Sequence, residues 1–120
     1  MNKLKIGWSE IDITPTKKVS LVGQFAERIS EYVEKPLTAT AMAIDNGVEQ
    51  AIICSTDLVG VSIELTKKIR EKIEKDNTEI DTKKVIIGAI HTHTGPGFTG
   101  RGANASTKYC LRNESLICKI

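Results

Sequence analysis

Two histidines, His91 and His93, are the residues whose type and spacing point most directly to chemistry, and they are the only histidines in the 120-residue chain. They follow a short apolar run at residues 85–90 that has the composition of a strand. Residues two apart in a strand share a face, so both imidazoles could enter one cleft while Thr92 and Thr94 face the other way. Neutral imidazole is a common zinc ligand, and a catalytic zinc typically takes three protein ligands and a water. The pair could therefore supply two zinc ligands, or one ligand and a neighbour that handles protons.

The turn after the histidines, Gly95-Pro96-Gly97, has little side-chain bulk and would leave room for a substrate. Two histidines do not complete a zinc site, so a pair with ordinary satisfied hydrogen bonds is the alternative interpretation. The carboxylates that could join them are Asp12, Glu27, Glu31, Asp45 and Asp57. Asp57 is best placed because it ends a neighbouring apolar run, although a structural use such as capping the loop before Ser62 fits it equally well.

The first of the elements that must position these residues is a strand in which Leu4, Ile6 and Trp8 alternate with polar residues. The alternation shifts by one residue at Ile11 and Ile13, which predicts a bulge near Ser9-Glu10. Thr14-Pro15 should end this strand, because proline lacks the N–H that a ladder needs. Residues 21–25 suit a short extended piece.

The rest of the chain predicts a hairpin, a helix and a further strand. Strands at residues 37–45 and 49–56 flank Asn46-Gly47, a pair typical of a type I′ turn. Ser62 is a candidate N-cap for a helix to about Lys75, with an apolar stripe of Leu65, Ile69 and Ile73. The strand at 49–56, the helix and the strand at 85–90 follow one another, an order that predicts a parallel crossover. The predicted fold is therefore α/β, with a mixed β-sheet and a flanking helix. In such sheets ligands bind at the carboxyl ends of the strands, where Asp57 and the histidines fall.

Composition sets the broad class of protein. The length suits one small domain, and a formal net charge of +2 is too weak to argue for a nucleic-acid partner. No apolar run approaches the ~20 residues of a transmembrane helix, and the amino terminus does not resemble a signal peptide, so a cytoplasmic location is expected. The three cysteines, Cys54, Cys110 and Cys118, show no zinc-site spacing, and Cys54 is expected to be a small core residue.

The sequence resembles a known family at several points in the same order. Ile90-His91-Thr92-His93-Thr94-Gly95-Pro96 is similar to the Thr-His-Thr-His-Ser/Thr-Gly-Pro hallmark of the N-terminal domain of neutral/alkaline non-lysosomal ceramidases. The opening residues 7–15 resemble that family's Gly-x-x-x-x-Asp-Ile-Thr-Pro start, and Leu21-Val22-Gly23-Gln24 its early glycine loop. Residues 37–44 and 55–58 resemble the next strand and the Asp-Leu after the third. Position 90 departs from the pattern, since isoleucine stands where the family usually has threonine.

The resemblance implies that this chain is an incomplete part of a larger α/β hydrolytic domain. Members of the family are zinc amidases that hydrolyse the N-acyl bond of ceramide. By resemblance His91 is a ligand of one Zn²⁺ ion, His93 a catalytic neighbour that contacts the substrate or the activated water, and Gly23 a substrate-binding residue acting through its backbone. The remaining ligands are expected outside this chain. Residues 1–100 are then the N-terminal part of the catalytic domain and 101–120 an atypical tail, truncated or frameshifted, so the chain is expected to be inactive alone.

Two other interpretations stay open. The chain could be a non-catalytic remnant or small binding module of the same fold without metal. It could also belong to another metallohydrolase class such as an amidohydrolase barrel, but there His-x-His usually follows the first strand, and here at least three strands precede it. A half-finished sheet would leave an apolar face uncovered, so a complementing chain or self-association is expected.

Overall fold

A computed structural model describes residues 3–77 and 79–96 of the chain. Within these ranges the chain forms a four-stranded sheet, a two-stranded ribbon and one α-helix. The elements in chain order are β1 (Lys5–Asp12), β2 (Ser20–Leu21), β3 (Arg28–Ile29), β4 (Thr38–Asp45), β5 (Gln50–Thr56), α1 (Ile63–Asp76), a short 3-10 helix (Thr82–Lys84) and β6 (Val85–Ala89). No helix of the described ranges is both long and apolar enough to span a membrane. Gly97, the predicted tail at 101–120, Cys110 and Cys118 lie outside the described residues.

The four-stranded sheet has the order β1-β4-β5-β6, in which β5 and β6 are parallel and the other neighbours antiparallel. The connection from β5 to β6 runs through α1, as the sequence predicts for a parallel crossover. The predicted α/β fold with a mixed sheet and a flanking helix is therefore confirmed. The ribbon of β2 and β3 forms a separate antiparallel pair between β1 and β4 in the chain.

The predicted bulge in the first strand is wrong. The pairing of β1 with β4 is continuous from Lys5 opposite Asp45 to Asp12 opposite Thr38. The shift in the apolar pattern has another cause. The apolar side chains of the first half of β1 lie on one face of the sheet, and those that follow lie on the opposite face. Trp8 is 77% exposed on the open face, whereas Ile13, just beyond the strand and in phase with the opposite face, is fully buried.

The hairpin between β4 and β5 is present, but its predicted type I′ turn is wrong. Pairing stops at Asp45 and Gln50, which leaves a four-residue loop. Gly47 has a φ of 83°, while Asn46 does not take the positive φ that a type I′ turn requires. The Asn46 side-chain oxygen instead accepts the backbone N–H groups of Val48 and Glu49, at 2.9 and 2.8 Å. This local side-chain bonding satisfies the wider loop.

Helix α1 follows its prediction closely. Ser62 is the N-cap, and its hydroxyl accepts the Leu65 backbone N–H at 3.1 Å. The helix buries Leu65 and Ile69 against one face of the sheet, where the core also contains Ile13, Ala39, Cys54 and Leu58. Burial raises the pKa of the Cys54 thiol to about 11, as expected for a small core residue and not for a metal-binding thiolate.

The buried stripe of α1 makes a matched test of core packing. We expect Ile69→Ala to lower the free energy of unfolding by about 2–5 kcal/mol, because Ile69 is fully buried and its truncation leaves a cavity. The control is Ile63→Ala in the same helix, where the side chain is 89% exposed and the change should stay within about 0.5 kcal/mol. Urea denaturation followed by circular dichroism measures both. Equal effects of the two substitutions would contradict the assigned core.

Candidate functional site

The candidate site lies where the two parallel strands end. Thr56 ends β5 and Asp57 follows it, while β6 ends at Ala89, one residue earlier than predicted. The two chain segments stay in contact beyond the strands. The Ile90 N–H donates to the Thr56 carbonyl at 3.0 Å, and the Thr92 N–H donates to the Leu58 carbonyl at 3.2 Å. The histidines are thus held at the carboxyl end of the sheet, the usual ligand-binding edge of an α/β fold.

The histidines are adjacent, but not for the reason that the sequence suggested. His91 has a φ of 66° and is the only non-glycine residue of the described ranges with a positive φ. The chain therefore leaves the strand direction at His91, and the expected sharing of one strand face does not apply. The two rings nevertheless lie with centroids 5.0 Å apart, edge to face at 62°. The left-handed backbone of His91 costs free energy of order 1–3 kcal/mol, a kind of strain that clusters at functional sites.

The ring of His91 is oriented by a backbone carbonyl. Its Nδ1 lies 2.7 Å from the carbonyl oxygen of Val59, in the loop that follows β5. A carbonyl oxygen only accepts, so Nδ1 carries the proton and donates it. In the neutral ring the lone pair is then on Nε2. Histidines that bind metals characteristically donate their other ring N–H in this way, which fixes the tautomer and the direction of the ligand lone pair.

The ring of His93 packs against Gly23. A Cβ atom built on Gly23 would lie 2.5 Å from His93 Nδ1 and 2.6 Å from its Cδ2, and the Gly23 φ is 91°. Both the close approach and the backbone conformation require glycine at this position. The structure therefore brings Gly23 together with His91 and His93, which lie 68 and 70 positions after it in the sequence.

Three of the five candidate carboxylates accept hydrogen bonds that stabilise the backbone or a strand end. Asp57 Oδ2 accepts the backbone N–H and the hydroxyl of Thr38, at 2.8 and 3.0 Å, and so holds the start of β4. Asp12 Oδ1 accepts the Thr14 backbone N–H at 2.7 Å. Hydrogen bonds from the Thr14 side chain and backbone lower the pKa of the Asp12 carboxyl. Asp45 accepts a backbone N–H of its hairpin loop at 2.6 Å.

The described residues could supply one ligand to a metal ion, but they do not form a complete metal site. They contain no group of three or more His, Cys, Asp or Glu side chains that could hold an ion. His91 has the oriented lone pair of a ligand, and His93 stands beside it. A zinc bound here would need further ligands from outside residues 3–77 and 79–96.

An open cavity of about 940 Å³ lies next to the histidine turn. Thr92 and Thr94 line it, together with Asp57, Leu37 and Arg28. The hydroxyls of Thr92 and Thr94 lie 2.9 Å apart. The described residues that line it include none of His91, His93 and Gly23, so the predicted substrate space beside the histidines stays a prediction.

Two contributors to the site were missed by sequence reasoning. The Val59 carbonyl belongs to the backbone and leaves no mark in the sequence. Arg28 donates from Nη2 to the His93 carbonyl at 2.6 Å across 65 positions of sequence, and no local pattern announces such a contact. The charged residue in an otherwise unpatterned stretch was the only available signal.

No protein-family model and no curated protein sequence matches the chain. Solved structures do match it. The crystal structure analysis of neutral ceramidase from Pseudomonas aeruginosa superposes with a TM-score of 0.71 at 20% identity, over 78% of this chain and 16% of that one. A structure described as ceramidase complexed with C2 gives 0.66 at 22% identity, over 78% and 15%. The chain thus spans about one sixth of the length of these ceramidases. The similarity confirms the fold that the resemblance to the N-terminal part of neutral ceramidases implied.

The contact of Gly23 with His93 gives a test of the site geometry. We expect Gly23→Ala to lower the free energy of unfolding by more than about 1 kcal/mol, because alanine disfavours the positive φ and its Cβ collides with the ring. The NMR signals of the His93 ring should shift with it.

The control for this test is Gly88→Ala in β6, where an added Cβ meets no atom within 4 Å and the backbone φ is not positive. It should leave both imidazole signals in place. Unchanged stability and an unchanged His93 ring in Gly23→Ala would contradict the assigned contact.

Proposed function

We propose that this chain supplies one part of the active site of a zinc-dependent amidase that hydrolyses the N-acyl amide bond of ceramide or a related lipid amide. The observation that carries the proposal is the His91 ring, whose Nδ1 contacts the Val59 carbonyl, so that Nε2 is the ring nitrogen that would bind a metal. The ring stands at the ligand-binding edge of a fold shared with neutral ceramidase. The resemblance of residues 90–96 to the hallmark motif of those enzymes supports the same assignment.

In this proposal His91 is a ligand of a single Zn²⁺ ion. Bound zinc would supply a Lewis acid for the amide carbonyl and activate a water at neutral pH. The Val59 carbonyl keeps the His91 ring in the tautomer and orientation that ligation needs. The further ligands are expected beyond the described residues, so the chain by itself is proposed to be inactive.

His93 is proposed to contact the substrate or to handle the proton of the reacting water. Its ring lies close enough to His91 to act on the same group, with centroids 5.0 Å apart. Gly23 packs against the His93 ring, and its missing side chain leaves backbone available to a substrate. Imidazole is the side chain most often used for proton transfer in general acid–base catalysis.

The second candidate function is a non-catalytic remnant or binding module that keeps the fold and binds no metal. The described part of the chain holds no group of three metal-ligating side chains, which both candidate functions predict. Zinc dependence separates the two functions. A complete amidase needs His91 for its metal, whereas a metal-free module would be indifferent to its loss.

The open face of the sheet supports the proposal that another layer covers it. Trp8, Met42, Ile53 and Ile86 stand in one row across all four strands, because each is the register partner of the next. Trp8 is 77% exposed, Ile53 41% and Ile86 56%. A row of this kind is unusual on a solvated surface. We propose that a complementing chain covers it in an active enzyme and that self-association covers it when the chain is alone.

Substitution of the two histidines tests the proposed roles in a complete enzyme that carries this segment. His91→Ala should lose both zinc and amidase activity, since it removes a metal ligand. His93→Ala should retain zinc and lose about 10²–10⁴-fold in turnover, the range for removal of a general acid or base. Zinc is measured by metal analysis and turnover with a ceramide substrate. Unchanged turnover in His91→Ala would refute the ligand assignment and favour the metal-free module.

Self-association of the isolated chain is tested by Trp8→Lys. A charge in the exposed row should shift the chain toward monomer in sedimentation equilibrium, because it disrupts apolar contact between copies. The matched control is Ile63→Lys, at an equally exposed apolar position on α1 away from that row. A wild-type chain that is monomeric and unfolds in one sharp transition would contradict the proposal.

A further inference from the structure

We infer that Arg28 is a positioning residue that holds the histidine turn in place through a contact separate from that of Val59. Its Nη2 donates to the backbone carbonyl of His93 at 2.6 Å and to that of Val22 at 3.4 Å. One guanidinium thus joins the β2–β3 ribbon to the turn that carries both imidazoles. Hydrogen bonds from a charged donor are the stronger kind, so this link is a substantial restraint on the turn.

The ribbon and the turn also meet through their backbones. The Val22 N–H donates to the Gly95 carbonyl at 3.3 Å, and Leu21 forms an isolated antiparallel bridge with Pro96. These contacts place Gly23 directly against the His93 ring. Arg28, on the second strand of the ribbon, closes this arrangement by bonding to the residue whose ring Gly23 contacts.

The free-energy cost of burying part of the Arg28 guanidinium indicates that this arginine has a structural role. Its Nε–H is buried and has no hydrogen-bond partner among the described residues. A buried donor without a partner is destabilising, so the favourable bonds of Nη2 must offset it. A shorter or neutral side chain would avoid the cost but could not make the charged link to the His93 carbonyl.

The consequence is a pair of histidines held from two sides. His91 is fixed through its ring by the Val59 carbonyl, and His93 is fixed through its backbone by Arg28. We expect the inter-ring arrangement to depend on both restraints, in addition to the contact of Gly23 with the His93 ring and the backbone bonds between ribbon and turn. What the pair is positioned for rests on the proposed function, but the restraint itself does not.

The experiment uses NMR on the labelled full chain, in which only two histidines contribute imidazole signals. In the wild type we expect a nuclear Overhauser effect between the two rings. Arg28→Met should lose it and move the His93 ring signals, and Arg28→Lys, which restores a cationic donor, should recover part of it. The matched control is Arg70→Met, since Arg70 also donates to a backbone carbonyl, that of Val85 at 2.8 Å, but away from the histidines. It should leave both rings unchanged.

Inter-ring contact that persists in folded Arg28→Met would overturn the inference. So would equal losses in the Arg28 and Arg70 variants, which would indicate a general effect on the fold. Should Arg28→Met fail to fold, the wild type decides: contacts between the Arg28 guanidinium protons and His93 support the inference, and their absence overturns it. None of these readouts needs zinc or substrate. Failure of the amidase proposal in the histidine substitutions would therefore be distinguishable from failure of this one.

Discussion

The burial of α1 on one face of the sheet is the constraint from which the site follows. Leu65 and Ile69 can leave water only by lying against the core residues of that face. The helix then returns the chain so that β6 lies beside β5 and parallel to it. Parallel neighbours end at the same edge, which brings the Val59 carbonyl next to His91. The hydrogen bond between His91 and the Val59 carbonyl, 32 positions apart in sequence, thus depends on the apolar contacts of α1 with the sheet.

The histidine turn itself is held by groups from two parts of the chain outside the helix. The loop after β5 orients the His91 ring, and the β2–β3 ribbon contacts His93 through Gly23 and Arg28. The ribbon is short, with two residues in each strand, and such a pair has little stability of its own. Its bonds to the turn therefore stabilise the ribbon as much as the turn, and the two should form together.

The elements that the sequence predicted well are those with a local physical signal. Spacing along the chain predicts the apolar stripe on α1 and its Ser62 cap. It also predicts that Asp57 and the histidines lie at strand ends. The bulge in β1 was wrong because an alternation that changes phase can also mean two apolar faces. The type I′ turn was wrong because Asn46 bonds to the loop backbone with its side chain.

The geometry of the histidines could not be predicted, because it depends on partners far away in the sequence. A strand would have placed His91 and His93 on one face by simple alternation. The chain instead turns at His91, and the rings meet through contacts with Val59, Gly23 and Arg28. The resemblance in residues 90–96 pointed to both histidines without giving this arrangement. The motif indicates which residues to consider, and only the structure gives their arrangement.

The distribution of unfavourable features separates the site from the core. Within residues 3–77 and 79–96, the left-handed backbone of His91 and the buried Nε–H of Arg28, which has no partner there, are two local costs, and both lie in or against the histidine turn. On the helix side the core residues are apolar, and the buried hydroxyl of Thr56 is satisfied by the Gly88 carbonyl at 2.9 Å. Strain persists only where the surrounding structure compensates for it. The concentration of both features around two imidazoles supports the proposal that the turn presents His91 and His93 to a third group.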